Sequence, residues 1–466
     1  MVRKKSKLPE LLSLLDWRER QGLRKYVSSP FFNENPLLVD FLDLLLEGNP
    51  PPEEIWQHLY PGEAYQDLKL RHLRSELMRL VEGFLAYHEM RKRTGLQQSH
   101  LLRALRRKKA TSLYEFTWRK VARRQLHSDA GNDLFLESYL LQAEHNTWLE
   151  HRSQRSGETH LQATVDSLDT FYLFSKLKYS CTILNNRKVV DVDYENLLLE
   201  EILIHLRKRS YDHVPGITIY FQIYEMLTEP AEDRHYHALK QLLEAHVGTF
   251  SKSEARDMYA FAMNHCIGRI NKGQSEYLGE ILELYKQGLE REVLLENGQL
   301  SPWDYKNIVV AGLRREEFAW TGKFIRSYRD RIPEAYRENA YTYNLAKFHF
   351  YKGEYSQVLR LLQQVEYDDV FYNLDSKVML LKVYYELEEV EALDSLIDSF
   401  RIFLRRNKLI SAHHRRNYLN LIRFVKKLSR LRPGDQKKLE KIRAEVAATE
   451  QVADVDWLRG KLEGKG

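Results

Sequence analysis

The sequence predicts an all-α protein, a right-handed helical-repeat solenoid of antiparallel helix pairs. Three observations lead there. Glycine and proline are scarce, 21 and 12 in 466 residues, which leaves few positions for sheet turns or flexible linkers. Large apolar residues recur at three- and four-residue steps almost everywhere, and no window of appreciable length alternates with period two, so no sheet is expected. The last third also repeats itself. Aligning the turns of YKNIVVAGLRREEFAWTGKFI, YNLAKFHFYKGEYSQVLRLL and LLKVYYELEEVEALDSLI superimposes Glu316, Gly353 and Glu388, at offsets of 37 and 35 residues.

Taken in order, the chain opens on MVRKKSKLPELLSLLDWRER, where Pro9, Glu10 and Asp16 interrupt any signal-peptide core. No stretch reaches the roughly 20 apolar residues that cross a bilayer. Cys181 and Cys266 are the only cysteines, too few for a disulfide framework, which together imply a reducing, cytoplasmic setting. YVSSPFFNEN reads as a tight corner between two helices, with Asn35 as N-cap, Pro36 in the first turn, and Phe31 and Phe32 packed inward. Ser112 and Glu115 have capping-box spacing. Leu168, Phe171, Tyr172, Leu177, Cys181 and Leu184 mark one further helix, and a helix capped near Ser411 buries Tyr418, Leu421, Ile422, Val425 and Leu428. The expected segments are 1–130 (helical, with a basic block), 131–298 (a central helical array), 299–410 (the repeats) and 411–466 (basic closing helices).

Each repeat carries a large–small pair in its first helix, clearest at Leu345-Ala346, then Phe318, Tyr355 or Val390 two residues past the turn. Pro333 closes one unit. In these features the region resembles the tetratricopeptide family, whose unit is about 34 residues, although Val358 and Leu393 replace its usual small residue in the second helix. NHCIGRINKGQSEYLGEILELYKQGLE, VEYDDVFYNLDSK, FLRRNKLISAHHRRNYLNLIRF, YVSSPFFNEN and DWLRGKLE resemble segments of a group of uncharacterised Bacteroidota proteins, over nearly the whole chain. That second resemblance implies helical repeats and a bacterial cytoplasm, and carries no activity over.

No catalytic motif is found, and no cofactor or metal is expected. GRINKGQS (268–275) spaces Gly268 and Gly273 like a phosphate loop, but Gln274 stands where lysine is required, so a turn between helices is the reading. His235 and His237, two apart, diverge on a helix, as do the adjacent His413 and His414, and all four read as surface histidines. Neither cysteine has a nucleophile signature and no GxSxG is present.

Charge is the main remaining signal. The net charge of +6 hides a 91–125 block with 12 basic residues and one acid, and a 401–443 block with 15 basic residues and two acids. On the first, Arg103, Arg106 and Arg107 oppose Leu101, Leu102 and Leu105. One helix later, Arg119, Lys120, Arg123 and Arg124 oppose a stripe through Tyr114, Trp118, Val121 and Gln125. On the second block the candidates are Arg405, Arg406, Arg415, Arg416, Arg423, Lys426 and Lys427. Helix exteriors explain where these cations lie but not their common sign, which suits nucleic acid or an acidic protein surface.

The tetratricopeptide resemblance implies a concave groove lined by first helices. Counted from the turns, Asn307 and Asn344 share one position, and Lys347 and Lys382 another. Asparagine can bond both backbone groups of an extended peptide, and lysine can select an acidic residue or chain terminus. The expected function is a non-enzymatic protein-binding scaffold. Binding of RNA or DNA through the basic faces is the alternative, and an unrecognised enzyme the third. No membrane partner is expected, and the oligomeric state is left open.

Overall fold

A computed structural model describes residues 7–48, 50–125, 131–151, 159–187, 192–363, 370–432 and 434–464, and among these the protein is all-α, with 23 α-helices. The chain packs as two compact units, Met1–Tyr179 with Leu198–Ile202, and Ser180–Leu197 with Leu203–Gly466.

The first unit begins with α1 (Lys7–Leu14), α2 (Trp17–Val27), α3 (Leu37–Glu47) and α4 (Pro52–Leu59). The longer α5 (Asp67–Lys92), α6 (Thr94–Arg107), α7 (Thr111–Gln125) and α8 (Asn132–His151) follow; α9 (Thr159–Asn186) belongs to this unit as far as Tyr179, and α10 (Leu199–Lys208) as far as Ile202. Asp16 starts α2 through a capping box: its carboxylate accepts from Glu19 N at 2.8 Å, and the Glu19 carboxylate accepts from Asp16 N at 3.0 Å. Leu70, Leu73, Leu77, Val81 and Phe84 form the buried stripe of α5, which packs on α2, α3 and α4. Each such side chain contributes about 1.5–3 kcal/mol on full burial.

A corner does form before α3, held by its asparagines, but α3 starts at Leu37 with Pro36, not Asn35, at the N-cap. Asn33 Nδ2 donates to Val27 O and Asn35 O, both at 2.9 Å, and Asn35 Oδ1 accepts from Leu37 N at 3.2 Å. Its phenylalanines point the other way from expectation, with Phe31 86% and Phe32 39% exposed. The buried core of this region is made by residues such as Val27, Leu38 and Phe41. Phe32 instead stacks on Tyr26 at 4.0 Å, with Phe31 edge-on at 4.9 Å. The capping box expected at Ser112 is likewise displaced. The chain re-enters a helix one residue earlier, at Thr111, and Ser112 lies inside the first turn.

The second unit continues with α11 (Pro215–Thr228), α12 (Asp233–His246), α13 (Lys252–Asn271) and α14 (Tyr277–Glu290). Next come α15 (Pro302–Arg314), α16 (Phe318–Ser327), α17 (Glu334–Tyr351), α18 (Tyr355–Leu362), α19 (Val370–Glu386) and α20 (Val390–Arg406). It ends in α21 (Ala412–Ser429), α22 (Gln436–Ala447) and α23 (Val455–Glu463). Between α14 and α15 the expectation of no sheet fails locally. Leu295–Glu296 pairs antiparallel with Gln299–Leu300 across Asn297 and Gly298, both with left-handed φ, 52° and 78°. An Asn-Gly pair is the preferred two-residue hairpin turn. The GRINKGQS segment does form a turn, between α13 and α14, with Gly273 at φ 88°.

Neighbouring helices pair in sequence: α11 with α12, α13 with α14, α15 with α16, α17 with α18, and α19 with α20. The first helices also contact one another, α15 with α17, α17 with α19, and α19 with α21. The three aligned turn residues share one conformation: Glu316, Gly353 and Glu388 have φ of 58°, 74° and 58°. After each, the next N–H reaches back five residues at 3.0 Å, from Glu317 to Gly312, Glu354 to His349, and Glu389 to Tyr384. This is the left-handed close of a helix, which satisfies carbonyls the helix end would otherwise leave open. Lys109 and Gly273 make the same turn between α6 and α7 and between α13 and α14. Val358 and Leu393 are buried inside their helix pairs, which close without the small residue.

Candidate functional site

The first helices α17 and α19 turn one stripe each toward a pocket of ≈270 Å³. Lys347, Phe350 and Tyr351 come from α17, and Asp375, Val378, Met379 and Lys382 from α19, at the three- and four-residue steps that share a helix face. Tyr418 of α21 and the Ala453-Asp454 segment complete the wall. That segment is strapped to α21 by Ala453 N donating to Asn417 O (3.2 Å) and Asn420 Nδ2 donating to Gln451 O (2.7 Å). Asp454, left-handed at φ 50°, stands at the start of α23.

Three ammonium groups serve this region, and two have carboxylates. Lys382 pairs with Asp454 at 2.8 Å and lies over the Trp457 ring at 5.4 Å. Lys306, from α15, pairs with Asp375 and lies among the rings of Trp303 and Tyr372, at 5.5 and 5.4 Å. Lys347 stands between them. Its Nζ donates to Tyr343 Oη at 3.3 Å, and among the described residues it has no ion pair. Lys347 is partly buried, and its ammonium is withdrawn from water. Burial lowers the pKa of that amine, and Lys306 and Lys382 push it the same way against Asp375 and Asp454. An anion entering the pocket would relieve both effects.

A volume of ≈270 Å³ is below the usual range for small-molecule sites, about 300–1,000 Å³. It fits one carboxylate-bearing side chain or a chain terminus. The pocket therefore brings two of the four expected groove residues, Lys347 and Lys382, onto one wall. Asn307 is exposed on α15 and does not line it. Asn344 is fully buried, with Nδ2 donating to Ala340 O at 2.8 Å, so the groove role expected of it gives way to a packing role. Lys306, Asp375, Tyr418 and Asp454 were not expected. Asp375 and Lys382 share a seven-residue step on α19, which is legible in sequence, but Lys306 and Asp454 arrive from distant segments.

The basic blocks divide on inspection. Arg106 Nε donates to Glu144 Oε1 at 2.6 Å and Arg103 Nε to Glu144 Oε2 at 3.4 Å, and Glu144 is buried. Arg415 is a structural clamp, donating to the carbonyls of Leu404, Asn407 and Ile410 at 2.8, 3.2 and 3.2 Å. Arg107, Arg119, Lys120, Arg123, Arg405, Arg406 and Arg416 are exposed. The side chain of Arg124 lies outside the described residues, as does that of Gln125. Arg423, Lys426 and Lys427 line a separate cleft.

His235 is more enclosed than its surface reading, at 12% side-chain exposure, and its ring approaches Glu225 and Glu229 within 4.8 Å. Those carboxylates are already neutralised, by Arg207 at 2.8 Å and Arg234 at 3.2 Å, so the cluster makes no case for a metal. Among the described residues no helix is long and apolar enough to cross a membrane. Compared with known proteins, the chain matches no family model, no curated protein and no solved structure.

Proposed function

We propose that the protein is a non-enzymatic binding module, a right-handed tetratricopeptide-like array whose first helices hold an extended, acidic segment of a protein partner. The observation that carries this reading is Lys347: an enclosed ammonium without a carboxylate, between two lysines that each have one. The recurrence of one backbone turn at Glu316, Gly353 and Glu388 supports the array. The partner's carboxylate supplies the missing counter-charge, and the rings of Phe350, Tyr351 and Tyr418 pack its stem.

Peptide display on the intact protein tests this. Selected peptides should share an Asp, a Glu or a required free C-terminus, and Lys347→Met should weaken them at least tenfold without lowering the melting temperature. Selection of neutral peptides whose affinity ignores Lys347→Met would refute the reading.

A further inference from the structure

The second unit holds a second cleft, of ≈530 Å³, between α21 and α22 at the end of α20, and seven of its ten lining residues are cationic. Four come from α21 alone. Arg423, Lys426, Lys427 and Arg430 follow steps of three, one and three, a stripe about 10 Å long at 1.5 Å per residue. Lys441 joins them from α22.

The carboxylates in reach do not balance this charge. Asp394 takes both Arg430 (2.9 Å) and Lys426 (3.5 Å). Glu445 takes Lys427, with Arg423 and Lys441 close enough to lower its pKa further. Of the seven, Arg401 and Lys438 have their own carboxylates, Asp398 (3.8 Å) and Asp435 (2.9 Å), and the other five cations share two. Arg423 donates only to Thr449 Oγ1, at 3.4 Å, and Lys441 has no ion pair among the described residues. Helix solvation does not require so uneven a count, because an exposed face is equally well solvated by mixed charges.

The kind of anion follows from the shape and chemistry of the lining. The buried centre of a protein–protein interface is depleted of charge, whereas nucleic-acid interfaces are rich in it. Cations set in a row suit a charge that repeats along a chain better than a single carboxylate. Leu431 and Ile442 are the apolar lining, and no aromatic side chain is present on which a base would stack. We propose that this cleft binds the sugar–phosphate backbone of nucleic acid without reading its bases. The site is independent of the Lys347 pocket, and either can fail alone.

The test uses the full chain and fluorescein-labelled RNA and DNA single strands of mixed sequence, followed by anisotropy across salt. Engagement of about four phosphates gives a slope of log affinity against log salt near −3, and a loss of about 50-fold between about 50 and 200 mM salt. Arg423→Glu with Lys441→Glu orphans no carboxylate, so the fold should hold, as checked by circular dichroism. This pair should weaken both strands at least tenfold and flatten the slope. Arg119→Glu with Lys120→Glu, in the first unit, should cost under threefold. Should the reversed pair misfold, Arg423→Gln with Lys441→Gln should show the same ordering with a smaller loss. The proposal is overturned by no binding at low salt, by equal losses from the two pairs, or by polyglutamate competing as well as RNA. Binding of inorganic polyphosphate without either nucleic acid overturns it as well.

Discussion

Glu316 and Glu388 hold φ near +58°, a conformation that suits glycine, and at the aligned turn between α17 and α18 the chain does use Gly353. Replacing both glutamates with glycine should stabilise the second unit. A non-glycine residue in the left-handed region costs about 1–2 kcal/mol. Glycine returns about 0.4–1 kcal/mol of that through the freedom it gives the unfolded chain. The net gain is about 0.5–1 kcal/mol per site. Both side chains are exposed, and among the described residues neither makes an ion pair, so nothing else is lost. The sites lie in different helix pairs and should add, giving about 1–2 kcal/mol together. On a unit of this size that raises the melting temperature by about 3–5 °C. Thermal melts followed by circular dichroism, with urea midpoints as a second readout, measure it. Gly353→Ala is the converse and should lose about 1 kcal/mol. A double variant that melts at or below the parent temperature, with Gly353→Ala neutral, would show that these turns are not left-handed in solution.

Three further outcomes are expected. Arg106→Ala should cost about 2–4 kcal/mol in urea unfolding, because buried Glu144 then keeps only its 3.4 Å contact to Arg103, while the exposed Arg107→Ala should cost under about 0.5 kcal/mol. Phe31→Ser should be nearly neutral, within about 0.5 kcal/mol, whereas the fully buried Phe41→Ala should lose about 3–5 kcal/mol; equal losses in the melts would place Phe31 inside. For Lys347, the folded pKa lies below the unfolded value, so the unfolded chain binds more protons between the two. Stability should therefore rise as pH climbs from the folded toward the unfolded pKa, and Lys347→Met should abolish that rise and stabilise the protein at neutral pH. A stability–pH curve unchanged by Lys347→Met would mean the amine is not enclosed.

The parts of this fold that were readable in sequence are those fixed locally. Of the expected stripe, Leu421, Ile422, Val425 and Leu428 are buried while Tyr418 is only partly buried and lines the pocket, and the cap at Ser411 appears as expected, because a helix face and its first turn are decided within a few residues. The aligned turns were readable for the same reason. The hairpin at Asn297-Gly298 was not found by periodicity, since two-residue strands are too short to show a period. Of the residues grouped by position relative to the turn, Lys347 and Lys382 both line the pocket, whereas Asn344 is buried. A three-residue step leaves two side chains about 60° apart around a helix, and at the edge of the face that offset separates the buried Asn344 from the pocket-lining Lys347. Lys306 and Asp454 were invisible because only the packing of successive helix pairs brings them near α17 and α19. The basic runs show the limit of reading charge alone: Arg106, Arg415 and Arg423 look alike in sequence and are a buried partner, a carbonyl clamp and a cleft lining.

The sequential pairing of helices has a consequence for the order in which the molecule is made. Contacts between adjacent helices close short loops, at little entropic cost, so each pair can form as soon as its second helix is synthesised. The pocket cannot. Its charges are matched only when Lys306 has met Asp375 and Lys382 has met Asp454, and Asp454 leaves the ribosome after all the others. A nascent chain would hold its helix pairs well before it held a complete pocket, and under the proposed function partner capture would wait for the last segment of the wall.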